Sequence, residues 1–174
     1  IETRNDATLD FDRRYERLDP IVRDIFDFSA WARFTADAHW QRFDEDERAA
    51  YTEAVARLIV AGYAARNNPS NGKFYKVDGV SNDGPGQKIV HAEMVTTTGE
   101  TRAMAYRLYR SQKGWKIFNV VYETANGAHS DAHSLRNYVS AFLNRNPLTD
   151  LIRDLDRKAE DQKDGCGQPK DQVR

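Results

Sequence analysis

The stretch RAMAYRLYRSQKGWKIFNVVY, Arg102 to Tyr122, decides the fold. Met104, Tyr106 and Leu108 alternate with Ala103, Ala105 and Arg107, the two-residue period of a strand buried on one face. Gln112-Lys113-Gly114 turns the chain, and Trp115 to Tyr122 is its most β-rich run. A turn that short joins neighbours running in opposite directions. Period two begins upstream at Lys73, where Phe74, Lys76 and Asp78 alternate with Tyr75 and Val77. Ser81 to Gly86 reads as a loop, Lys88 to Thr97 as a second strand, and Thr98-Gly99-Glu100 as a tight turn. The expectation is an antiparallel meander of about four strands.

Helical spacing flanks this region. Leu9, Phe11, Tyr15 and Leu18 recur at roughly helical intervals up to Asp19-Pro20, where proline ends one helix and suits the start of another. The short helix expected there carries Ile21, Val22, Ile25 and Phe26, and Ser29 is a fair N-cap for a segment from Trp31 to Trp40. Asp44 with Glu47 three residues on forms a capping box that opens the clearest helix. In it Tyr51, Val55, Leu58, Ile59, Gly62 and Tyr63 make one apolar stripe, with Glu45, Arg48, Glu53 and Arg57 mostly opposite. The run Asn67-Asn68-Pro69-Ser70-Asn71-Gly72 ends it.

After Asn126-Gly127 helical spacing returns, with Leu135, Tyr138, Val139, Phe142 and Leu143 on one face, closed by Asn144 to Pro147. Leu148, Leu151, Ile152 and Leu155 make a last short helix. From Arg157 the chain is charged and punctuated by Gly and Pro, so residues 159–174 are expected to be a flexible tail and residues 1–158 a single domain. Helices, strands, then helices is an α+β order, an antiparallel sheet packed on one face by N-terminal and C-terminal helices.

Composition narrows function. At 174 residues the chain suits one domain that buries roughly 70% of its unfolded surface. Twenty-six basic residues against twenty-seven acidic ones leave a net charge of −1, which argues against a nucleic-acid partner and against a polybasic membrane anchor. No run of 18 apolar residues exists to span a bilayer, so no stable membrane insertion is expected. Ile1, with no Met before it, reads as the start of a mature or trimmed chain. Cys166 has no second cysteine with which to form a disulfide.

Signatures of chemistry are sparse. GxSxG, P-loop, CxxC, HExxH and GxGxxG patterns are all missing from the sequence. His129 and His133 stand four apart around Asp131, which would place both imidazoles on one helical face, but no third ligand accompanies them and a solvated helix start is the better reading. His39 and His91 are isolated. Asp27, between Phe26 and Phe28, serves as a base in a pocket, caps the segment starting near Ser29 or pairs with an arginine; Glu123 is either a buried acid or a strand-end charge. No catalytic residue, metal or cofactor is expected. Large side chains instead line both sides of the expected sheet–helix interface: Trp31, Phe34, Trp40, Tyr51, Tyr63, Phe74, Tyr106, Trp115, Phe118, Tyr122, Tyr138 and Phe142. Most such stripes are core.

Motifs recur in a fixed order along these elements: Phe26-Asp27, Trp40 ahead of Asp44 to Arg48, and Gly62-Tyr63-Ala64 at a helix end. They continue with Gly114-Trp115-Lys116-Ile117-Phe118-Asn119-Val120, then Arg136 and Tyr138, and finally Leu151-Ile152-Arg153-Asp154-Leu155. In this set and order the chain resembles the MlaC-type, toluene-tolerance family of periplasmic phospholipid carriers. Where the family has Glu-Gly-Val-Ser after its last strand, this chain has Glu123-Thr124-Ala125-Asn126-Gly127-Ala128-His129-Ser130, a departure that bears on which lipid is held.

The resemblance implies a non-enzymatic, lipid-binding periplasmic shuttle with a pocket between sheet and helices. It would carry phospholipid between an outer-membrane lipoprotein complex and an inner-membrane ABC transporter bearing Mce domains, in support of outer-membrane lipid asymmetry in Gram-negative cells. The expected lipid contacts are Trp31, Phe34, Leu58, Tyr63, Met94, Met104, Tyr106, Leu108, Val120, Tyr122, Tyr138 and Phe142. Rival readings are a carrier of a hopanoid or sterol-like lipid, an enzyme of ketosteroid-isomerase-like fold using Asp27 or Glu123, and an interaction module with a solid core.

Overall fold

Among the described residues the first helix, α1 (Phe11–Ile25), begins where the Asp10 carboxylate accepts a 2.9 Å hydrogen bond from the Arg13 backbone N–H. These features come from a computed structural model in which residues 9–66, 74–95, 101–124 and 127–163 are described. The break expected at Asp19-Pro20 does not occur, and Pro20 lies inside α1. Proline costs the helix one N–H donor. Leu18 and Val22, buried on either side of it, hold the helical path, and Arg23 reaches back across it to Asp19 at 2.7 Å.

Next comes α2 (Phe28–Ala36), capped by Asp27 rather than Ser29 through a 2.9 Å bond from the Ala30 N–H. The segment to Trp40 is not one helix: at Asp37 the backbone takes a φ of 50°, and a 3₁₀ turn follows over Asp37–Arg42. The capping box forms as expected, with Glu47 N–H donating to Asp44 at 2.8 Å and Asp44 N–H to Glu47 at 3.0 Å. It opens α3 (Glu45–Arg66). Tyr51, Val55, Val60, Tyr63 and the alanines at 54, 56, 61 and 64 are all buried, so α3 is enclosed on more than the one stripe that periodicity picked out.

The sheet is the expected antiparallel meander with one strand more: β1 (Phe74–Asn82), β2 (Gln87–Val95), β3 (Thr101–Ser111), β4 (Gly114–Thr124) and β5 (Gly127–Ser130), in that spatial order. β1 runs through the Ser81–Asn82 positions assigned to a loop. β5 occupies the stretch where helical spacing was read; four residues give too short a pattern to show a period. Helix α4 therefore starts at Asp131 (Asp131–Leu143), capped by Ser130. Helix α5 (Leu148–Asp161) continues past the expected boundary at 158, with Ala159 buried. The Asn67–Gly72 stop, the Thr98–Glu100 turn, Cys166 and the tail from 164, together with the Phe74 side chain, lie outside the described residues.

Helices α1, α2 and α4 touch β4, while α5 packs on α3 away from the sheet. The core fills the space between, with Tyr51, Val55, Val120, Val139, Leu151 and Leu155 fully enclosed. No helix among the described residues is long and apolar enough to cross a membrane.

Candidate functional site

Between α1 and the sheet the packing stays open. A cavity of about 320 Å³ is walled by Leu18, Ile21, Val22 and Ile25 of α1, by Phe26 and Tyr63, and by Val90, Tyr106, Leu108 and Ile117 from β2, β3 and β4. That volume is near the lower end of the roughly 300–1,000 Å³ typical of ligand pockets. The gap follows from how α1 ends. Phe26 forms a parallel bridge with Ile117, and the Asp27 N–H donates to the Ile117 carbonyl at 3.1 Å, pinning the helix C-terminus to β4. Val90 on β2 and the outer half of β3 are left uncovered by that helix.

Inside, Leu18, Val22, Phe26 and Ile117 are buried; at the mouth Ile21 and Ile25 are 50% and 38% exposed. The apolar face continues onto β1, where Val80, the Cα partner of Val90, is 58% exposed and Val77, the partner of Ala92, 60%. Burying one such aliphatic side chain is worth about 1.5–3 kcal/mol. A face with several left in water is therefore a standing drive for association with something apolar.

Of the twelve expected contacts, Tyr63, Tyr106 and Leu108 line this cavity. Trp31, Met104 and Val120 are buried in the core, and Leu58 and Met94 pack against it. Tyr122 donates to Asp131 at 3.1 Å, and Tyr138 donates to Asp154 beside Phe142. Phe34 is 38% exposed on α2, edge-on to His133 and under the Arg136 guanidinium. The residues that sequence reasoning missed are Leu18, Ile21, Val22, Ile25, Phe26, Val90 and Ile117. A signal existed: Leu18, Ile21, Val22 and Ile25 give α1 an apolar stripe wider than its two buried aliphatics require.

The polar candidates stand elsewhere. Asp27 is a helix cap that also accepts the Tyr109 hydroxyl hydrogen bond. That bond first, and burial second, push the Tyr109 phenol up to about 12. Tyr109 meets Phe118 at a tilt on the sheet face opposite the cavity, where Arg107 covers Phe118 and pairs with Asp83. Glu123 is exposed at the end of β4. His129 and His133 do not share a helical face, since His129 is in β5; their ring nitrogens meet Ser134 at 3.2 Å and Ser130 at 2.9 Å. Among the described residues no group of three or more His, Cys, Asp or Glu is placed to hold a metal ion. Among the described residues the cavity walls carry no carboxylate, imidazole or amine, and Tyr63 and Tyr106 supply their only titratable groups.

Comparison with known proteins adds three findings. Residues 2–157 match the family model described as MlaC protein. The fold superposes with a TM-score of 0.72 on the phospholipid-binding protein from Ralstonia solanacearum, whose structure was solved in complex with a phospholipid; the match is 14% identical and covers 90% of this chain and 86% of that one. No curated protein matches the chain.

Proposed function

Because this chain belongs to the MlaC protein family, we propose that it is a phospholipid carrier whose cavity between α1 and the sheet takes an acyl chain. The observation that carries the reading is the cavity itself, about 320 Å³ walled by apolar side chains and rimmed by the exposed Ile21 and Ile25. A methylene moved from water into such a wall gains about 0.8 kcal/mol, so sequestering a chain needs no covalent step. The phospholipid held by the Ralstonia protein of like fold supports the choice of ligand. The lipid contacts are then Tyr63, Tyr106 and Leu108 with the missed seven, rather than the buried Trp31, Met104 and Val120.

Family membership supports a periplasmic shuttle, exchanging lipid with an outer-membrane lipoprotein complex and an inner-membrane transporter of Mce type. A binding protein fits the walls better than an enzyme, since Asp27 and Glu123, the acids an isomerase would need, stand outside the cavity. Native mass spectrometry of the purified protein tests the reading. Co-purified phospholipid is expected, and Leu108→Arg should abolish its retention while leaving the circular dichroism spectrum intact. A polycyclic lipid in its place would shift the assignment to a hopanoid-type carrier, and retention unchanged in Leu108→Arg would sink the placement of the pocket.

A further inference from the structure

The cavity face of the sheet changes character along the strands. Cα partners set it out in rows: Ala92, Met104 and Tyr122; then Val80, Val90, Tyr106 and Val120; then Asn82, Lys88, Leu108 and Ile117; and last Arg110 with Trp115. The first two rows are apolar or aromatic. Where the cavity walls end, at Leu108 and Ile117, Lys88 and Arg110 begin. Lys88 reaches over Leu108 so that its ammonium stands 5.0 Å from the centre of the Trp115 ring, which fixes it on the cavity side. Arg110 is exposed, its backbone N–H tied to the Gly86 carbonyl at 2.8 Å.

Arg23, Arg57, Arg107 and Arg136 each hold a carboxylate. Neither Lys88 nor Arg110 holds one among the described residues. Of the acids nearest Lys88 in sequence, Asp83 is bonded to Arg107 on the opposite face and Glu93 stands in register beside Lys76, while Asp24 of α1 lies 3.6 Å from Lys116.

Two cations without counter-charges at the rim of an apolar cavity are set up to meet an anion fastened to an apolar tail. We propose that Lys88 and Arg110 form a head-group subsite for the phosphate of a net-anionic glycerophospholipid. The proposal rests on reading the cavity as the acyl-chain pocket. With the chain buried among Val90, Tyr106, Leu108 and Ile117, the head comes out in the last two rows, where Arg110 offers a planar fork and Lys88 a point charge to phosphate oxygens. A head group bearing its own ammonium brings a like charge beside them, so phosphatidylglycerol is held more tightly than phosphatidylcholine. Because the subsite is partly exposed, salt weakens the preference.

The test offers the delipidated full chain equal amounts of phosphatidylglycerol and phosphatidylcholine with identical acyl chains, and counts retained lipid by native mass spectrometry at low and high salt. The wild type should favour phosphatidylglycerol about three- to tenfold at low salt, the range expected of partly solvated ion pairs. Lys88→Gln with Arg110→Gln should bring the ratio to about one by lowering phosphatidylglycerol retention toward that of phosphatidylcholine, while Lys88→Arg with Arg110→Lys keeps the preference. Arg153→Gln, on α5, serves as a control with unchanged preference. Equal retention in the wild type, or a preference that survives the double Gln variant, overturns the proposal and leaves the carrier reading standing. Failure to retain either lipid overturns the carrier reading itself. Inorganic phosphate bound to the delipidated protein, and lost in the double Gln variant, would mark a free-phosphate site instead of a lipid head group and would also overturn the proposal.

Discussion

Leu108→Ala and Leu151→Ala make the same chemical deletion in two surroundings, and their contrast tests whether the space under α1 is a cavity. Leu151 is fully enclosed where α5 packs on α3. Truncating it removes three buried carbons and leaves a hole that rigid neighbours cannot fill, at a cost of about 3–4 kcal/mol. Leu108 is half-buried and already borders a void of about 320 Å³. Its truncation forfeits only part of the transfer energy and opens no new hole, for about 1 kcal/mol. In a domain of this size each kcal/mol moves the melting temperature by roughly 2–4 °C. Thermal denaturation of delipidated protein should therefore show a drop of about 6–16 °C for Leu151→Ala and about 2–4 °C for Leu108→Ala. Repeating the scan with phospholipid at about 100 times its Kd should add about 2.7 kcal/mol to the wild type, and less to Leu108→Ala. Equal losses for the two variants without lipid would show that Leu108 sits in solid core, and the reasoning from the cavity would fail.

Three other outcomes are expected. Tyr51→Phe should cost about 1 kcal/mol in urea denaturation, because Thr35 gives its proton to the Trp31 carbonyl and leaves Tyr51 as the donor in their 2.7 Å bond, with both side chains wholly buried. Asp27→Ala removes the α2 cap and the acceptor of the Tyr109 hydroxyl, for about 2 kcal/mol together; in ultraviolet titration the Tyr109 phenol should fall from about 12 toward its ordinary value of 10. The Arg23 hydrogen bond holds the Glu53 carboxyl below its usual 4.5, so its contribution is complete above that pH and is lost as pH falls through the folded value. Glu53 is 45% exposed, which keeps the effect under about 1 kcal/mol. Acid titration of stability should lose that component in Glu53→Gln, and a profile that did not change would rule the pair out as a contributor.

The frame of this protein was legible where one physical signal dominated. The Asp44–Glu47 box marked the start of α3, and alternation through Met104, Tyr106 and Leu108 marked β3. Signals that compete were misread. Pro20 normally breaks a helix, but burial of Leu18 and Val22 on either side of it prevailed. Gly127-Ala128-His129-Ser130 carries no strand former and becomes β5 by pairing with β4. The site was legible only in part. Large aromatics drew attention, whereas the cavity depends on where packing stops, and its walls are mainly aliphatics such as Ile21, Ile25 and Val90. Which apolar residue faces a void depends on how α1 is pinned at Ile117, a contact 91 residues distant along the chain that no local pattern encodes.

The open edge of the sheet has a consequence for how the protein behaves when crowded. A nine-residue outer strand bearing two exposed valines is the kind of surface on which identical chains zip together into insoluble stacks. β1 interrupts that template in its middle. Its register slips between Val77 and Gly79, so no straight ladder of donors and acceptors is presented, and the Lys76–Asp78 pair at 2.9 Å sets charge on both sides of Val77. The other edge, β5, is only four residues long. By these means the oily flank is hindered from pairing edge to edge with its like, and straightening the β1 irregularity by deleting Asp78 should raise the tendency to precipitate, as light scattering would show.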